Sequence, residues 1–203
     1  MPNPAGRFGR LVALFAALLL QPYAAAQNSN EKWEPLASQA KGHTLRYSAT
    51  ATLLGKPTAV SLKFYCDTTR TRTETGATGF DLVIDKIAAL APFDFESFEG
   101  PDASAARRNL MKITVTRPGK PPLVINTSVA GWSPDGPNFA FGVAAESSKA
   151  ASPSRTLLRA LAEGADTLAI SITDAKNPKL KLELSVAVGQ KAADFKALSA
   201  ELK

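Results

Sequence analysis

The feature that most constrains this fold is a two-residue alternation of apolar and polar side chains, which recurs from residue 44 almost to the end of the chain. Leu45, Tyr47, Ala49, Ala51 and Leu53 alternate with Thr44, Arg46, Ser48, Thr50 and Thr52. Successive side chains of a strand point to opposite faces, so the run predicts a strand buried on one side. It ends at Gly55-Lys56-Pro57, a turn into a second alternating run from Val60 to Cys66. Thr71, Thr73 and Thr75 then alternate with Arg72 and Glu74 as far as Gly76-Ala77-Thr78-Gly79, which reads as a two-glycine turn. That arm is polar on both sides, an exposed hairpin or an edge strand. Phe80, Leu82 and Ile84 resume the alternation.

Further strands are predicted over 111–117, 123–129, 139–144, 168–173 and 180–188. Pro118-Gly119, Gly131, Pro134-Asp135-Gly136-Pro137 and Asn177-Pro178 supply turns between them. Two segments change period. Ser152-Pro153 caps and starts a helix whose apolar face carries Leu157, Leu158 and Leu161, and Gly164 stops it. Phe195, Leu198 and Leu202 lie near one stripe of a terminal helix. The expected fold is mainly β: an antiparallel sandwich or strongly bent sheet of seven to nine strands, with two short covering helices, the second C-terminal.

The amino terminus follows a different logic. Arg7 and Arg10 precede Leu11 to Leu20, ten residues without a polar side chain, and Pro22 and Ala24-Ala25-Ala26 follow. This is the layout of a cleavable signal peptide, expected over 1–26 with one exported domain over 27–203. The apolar run is too short for a spanning helix, which needs about 20 residues, so no membrane span is expected in the mature form. Without Arg7 and Arg10 the chain keeps 22 basic residues against 18 acidic, a net charge of +4. The basic residues are scattered, as in Arg70/Arg72, Arg107/Arg108 and Lys176/Lys179/Lys181, and not gathered with stacking aromatics, so nucleic acid is not an expected partner. A single cysteine cannot bridge internally, whereas secreted eukaryotic domains of this size commonly carry several disulfides. The expected location is the bacterial periplasm or the exterior.

Little in the chain carries catalytic chemistry. Cys66 shares a face with Val60, Leu62 and Phe64 and reads as a buried thiol packed as a small hydrophobe, the alternatives being a reactive nucleophile or an intermolecular bridge. His43 is the one histidine; it reads as an ordinary, partly exposed polar residue, and a His43/Cys66 catalytic pair is a formal alternative. Zinc sites of histidine and cysteine need more ligands than this chain holds. No cofactor or metal is expected. Trp33 reads as a clip for the amino terminus, Trp132 as a core residue, and the loop 133–138 as a rigid candidate binding loop.

The most unusual stretch is Phe93-Asp94-Phe95-Glu96-Ser97-Phe98-Glu99-Gly100-Pro101-Asp102, with four acids among three phenylalanines. In one reading the phenylalanines anchor a loop while the acids face water. In another, aromatics flanked by charge form a recognition patch of Asp94, Glu96, Phe98, Glu99 and Asp102. A divalent-cation loop or a glycosidase-like acid pair is the catalytic alternative.

The closing segment, with its leucine-bearing helix, the strand Gly164-Ala165-Asp166-Thr167-Leu168-Ala169-Ile170-Ser171-Ile172, another strand and Ala193-Asp194-Phe195-Lys196-Ala197-Leu198, resembles small periplasmic proteins of the invasion-associated locus B and type VI secretion accessory kinds. The resemblance spans roughly the last 50 residues and implies a non-catalytic envelope protein. The paired cysteines typical of the invasion-associated group are missing here. The expected function is therefore an exported, non-catalytic binding or accessory module for a protein or cell-envelope component. The alternatives are a secreted hydrolase working through the acids of 94–102, and an inhibitor or immunity protein with one tight protein partner.

Overall fold

The two longest alternating runs form the two longest strands. The computed structural model describes residues 29–39, 42–67, 77–100, 103–105, 108–146 and 152–200. The expected signal segment, the threonine arm 71–75 and Asp102 lie outside them. β3 (Gly42–Leu53) and β4 (Lys56–Asp67) pair antiparallel along their whole length, and the reversal between them places Leu54 and Gly55 at positive φ. Glycine takes that conformation without a Cβ penalty, and this fixes the turn at the expected place. β5 (Ala77–Ile84) pairs with β4, so Leu45, Phe64 and Phe80 form one inward row and Tyr47, Leu62 and Leu82 the next.

β1 (Ser29–Trp33) and β2 (Ala37–Gln39) flank β3, while β9 (Phe139–Glu146) continues the sheet beyond β5 and β8 (Ala130–Trp132) ends it. The order is β1-β3-β4-β5-β9-β8, with β2 also on β3. A second sheet has the order β11-β10-β6-β7, from β6 (Met111–Arg117), β7 (Lys120–Thr127), β10 (Thr167–Thr173) and β11 (Lys181–Ala187). All these pairs are antiparallel. Among the described residues eight strands have seven residues or more, and three short ones, β1, β2 and β8, add to them. The fold is the expected mainly β architecture of two antiparallel sheets and two helices. Several boundaries differ from expectation, and Lys56 and Pro57, expected in the turn, begin β4. Ala77, Thr78 and Gly79 belong to β5 instead of a turn, β7 stops at Thr127, and β8 follows after only two residues.

α1 (Pro153–Ala162) begins as its sequence predicts: the Ser152 side chain accepts from Arg155 N at 3.4 Å, and Pro153 needs no donor there. Ser154 Oγ donates to the Val143 carbonyl at 3.1 Å and fastens the helix to β9. At its other end Glu163 pairs with Arg117 at 3.0 Å and Lys120 at 3.2 Å. α1 touches β5 and β9 of the larger sheet and β6 and β7 of the smaller, and packs along α2 (Ala192–Ala200). α2 lays Phe195 against Phe64 (ring centroids 5.1 Å) and Trp33 (5.9 Å), both edge-on, so Trp33 clips the start of the described chain to its last helix. One contiguous hydrophobic core joins the inward faces of both sheets and the helices. Among the described residues no helix is long and apolar enough to cross a membrane.

Candidate functional site

The segment between β5 and β6 holds the aromatic and acidic residues singled out by sequence. Phe93, Phe95 and Phe98 are buried; Phe95 meets Phe139 and Phe141 of β9, Phe98 is edge-on to Phe141 at 5.2 Å, and Phe93 packs on both Phe95 and Phe98. Phe98 is therefore not part of an exposed recognition patch: its ring is worth more out of water than on the surface. Asp94 accepts hydrogen bonds from the Ser97 backbone N (3.3 Å) and the Ser97 hydroxyl, and its carboxylate pairs with Lys176 Nζ at 3.0 Å. The Ser97 hydroxyl first, then Lys176, holds the Asp94 carboxyl below its ordinary range against the opposing effect of burial. Asp94 thus organises the helical turn Glu96–Phe98 and ties it to the β10–β11 connection. Glu96 and Glu99 face solvent, and Asp102 is outside the described residues. Among the described residues no group of three His, Cys, Asp or Glu side chains is placed to hold a metal ion.

The anchor on the opposite side of that contact is Asp174, at the start of the β10–β11 connection. Its side chain is buried at 1% exposure. One carboxylate oxygen accepts from Lys176 N (2.8 Å) and Asn177 N (2.6 Å), the other from Asp94 N (2.6 Å). Cys66 is buried as expected, at 3% exposure, with its sulfur 3.6 Å from Thr78 Oγ1. His43, half-buried, stands directly opposite Cys66 in the β3–β4 register, so both side chains project to one face of the sheet.

The outer face of the larger sheet carries a constellation that the sequence did not bring together. In one cross-strand row stand Arg46, Lys63, Asp81, Gly142 and Ala130; on one side run Thr44, Tyr65 and Gly79, and on the other Ser61, Val83, Ala140 and Trp132. Trp132, expected in the core, is 40% exposed. The strand phase explains this: Phe139 and Phe141 of β9 occupy the inward positions, and Trp132, opposite Ala140, falls on the outward phase. Its six-membered ring covers Gly142, where an added Cβ would stand 2.6 Å from Cζ3 and 2.7 Å from Cη2. The same point is 3.2 Å from Asp81 Oδ1, so the indole and the carboxylate converge on one glycine. Tyr65 covers Gly79 in the same way, its hydroxyl 2.6 Å from an added Cβ. Lys63 Nζ rides over the Tyr65 ring at 5.5 Å from the centroid.

The charges in this patch are perturbed by where the strands place them. Burial pushes the Asp81 carboxyl above its ordinary value, partly offset by the ammonium of Lys63. Burial, with the negative charge of Asp81 adding to it, pushes the Tyr65 hydroxyl up to about 12, so it remains a donor throughout the physiological range. A half-desolvated carboxylate, a phenol, an ammonium and an exposed indole face thus share one surface. Beside it, a recess of about 280 Å3 opens between residues 127–130, Gly142, Val143 and Pro153, and its described lining has no titratable side chain. The arrangement can offer hydrogen bonds of both senses around an apolar ring face. No family model matches this chain, and no match is found among the curated proteins or the solved structures.

Proposed function

We propose that this chain is an exported, non-catalytic binding module of the periplasm or cell exterior, which takes a protein or cell-envelope component on the outer face of its larger sheet. The observation that carries the reading is the pairing of Trp132, the most exposed aromatic side chain among the described residues, with the half-buried carboxylate of Asp81 on a flat sheet surface. Buried polar groups are ordinarily satisfied by partners, and tryptophan is enriched at recognition interfaces relative to the rest of a protein surface. Export rests on the signal-peptide layout of residues 1–26. The resemblance of the last 50 residues to periplasmic accessory proteins points the same way.

Against the hydrolase alternative, the Asp94 carboxylate already accepts from Ser97 and pairs with Lys176. The test is a capture experiment: the full chain, tagged after Lys203 and expressed in its own host, is purified from the envelope fraction with whatever it retains. Retention of a specific envelope component, lost in Trp132→Ala, supports the module. A chain that remains in the cytoplasm, or an exported chain that retains nothing, contradicts it.

A further inference from the structure

The patch around Asp81 has a charge pattern that narrows its occupant. The carboxylate of Asp81 opposes an anionic ligand, and the ammonium of Lys63, directly across the strand pair, opposes a cationic one. A neutral ligand escapes both penalties. It must still satisfy an acceptor at Asp81, donors at Tyr65 and Lys63, and an apolar contact at Trp132. Few neutral molecules carry hydroxyl donors and acceptors round a rim and C–H groups across a face; sugars do. We propose that the outer face of β4, β5, β9 and β8 is a saccharide-binding platform, with Trp132 stacking on a sugar ring and Asp81, Tyr65 and Lys63 hydrogen-bonding its hydroxyls.

The geometry fits this chemistry in three ways. One edge of the indole is seated on Gly142 while Trp132 stays 40% exposed, so the ring is held against the sheet with apolar surface left for a ligand. The Asp81 oxygen next to that ring has no hydrogen-bond donor among the described residues, and its burial is opposed only by the charge of Lys63. From Lys63 to Trp132 the platform crosses three strand spacings, about 14 Å, which is wider than one pyranose ring and suits an oligosaccharide. Gly79 and Gly142 keep the floor low, since any side chain there would displace the rings that line it. The proposal rests on the binding-module reading and names its ligand class.

The test uses the full exported chain as purified from its host. Peptidoglycan sacculi are probed by co-sedimentation, and chitotetraose, maltotetraose and cellotetraose by calorimetric titration. Native protein is expected to bind at least one of these probes. Asp81→Asn, which keeps the shape and relieves a desolvated charge, is expected to weaken that binding about tenfold or more, as is Trp132→Ala. Glu163→Gln, away from the patch, is expected to bind as the native protein does. The saccharide assignment is overturned if the native protein binds none of the four probes. It is equally overturned if a probe binds Asp81→Asn and Trp132→Ala as tightly as native while thermal unfolding shows both to be folded. If no sugar binds but a protein is captured from the envelope and lost in Trp132→Ala, the saccharide falls and the binding module stands. If neither is retained, both fall.

Discussion

Replacing Asp174 with alanine tests whether one buried carboxylate holds the β5–β6 connection to the rest of the fold. Three backbone N–H groups donate to it, at 2.6 to 2.8 Å, and a hydrogen bond to a charged group contributes about 1.5–3 kcal/mol. The amides of Lys176 and Asn177 lie in an exposed turn and regain water when the acceptor is removed. Asp94 N is half-buried and regains less. A loss of about 3–5 kcal/mol follows, a large share of the ~5–15 kcal/mol that stabilises a domain. It corresponds to a fall in Tm of roughly 6–20 °C for a chain of this size. Asp174→Asn keeps one acceptor oxygen and is expected to cost about 1–2 kcal/mol. Urea unfolding with linear extrapolation measures both. Hydrogen exchange should show that amides of residues 92–98 and 175–180 lose protection beyond the global change. A cost below about 1 kcal/mol for the alanine variant, or equal costs for the two variants, would refute the account of Asp174 as an anchor.

Four further outcomes follow from the outer face and the core. In Gly79→Ala the new methyl would stand 2.5 Å from the Val143 backbone oxygen, which cannot swing away, so urea unfolding should show a loss of about 1–3 kcal/mol. Gly142→Ala meets only side-chain atoms of Trp132 and Asp81; its stability cost should be smaller, and Trp132 fluorescence should shift as the ring is lifted. Asp81 holds its proton more tightly folded than unfolded, so its favourable contribution is complete below its ordinary value of 3.8 and is lost as pH rises through the higher folded value. Asp81→Asn should therefore match native stability at about pH 3 and exceed it towards neutrality; a variant less stable at neutral pH contradicts the desolvation argument. Cys66, at 3% exposure, should react with a maleimide slowly in native protein and at once in denaturant, as read by mass spectrometry.

Local patterns carried most of the fold and little of the candidate site. The run from Leu45 to Leu53, the Gly55 reversal and the Ser152-Pro153 start of α1 are decided within a few residues, by strand phase, turn conformation and capping, and each forms where expected. β1, β2 and β8 are too short for alternation to register; β8 is defined by its partner β9 and not by its own three residues. The Asp81 patch depends on β5 pairing with β9, more than 50 residues later in the chain, with the β6–β7 hairpin of the other sheet between them. No local signal reports that register. Trp132 was the residue most open to misreading, because an indole beside a glycine suits a core as well as a surface. The phase set by Phe139 and Phe141 decides between the two, and it could have been applied to the sequence had the pairing been known. The acidic cluster drew attention for its composition, and its phenylalanines proved to be the informative part.

The meeting of Trp33, Phe64 and Phe195 has a consequence for the order in which this protein can be assembled. A ribosome delivers the β3–β4 hairpin early, with Phe64 on its inward side, and the Phe195 ring that packs edge-on against Phe64 arrives only with residues 192–200. The contacts that close the core are thus among the most distant in the chain, and such topologies fold slowly because the longest loops must close before the contacts reward them. Until residues 192–200 have been synthesised, the nascent polypeptide lacks the Phe195 ring that closes this end of its interior.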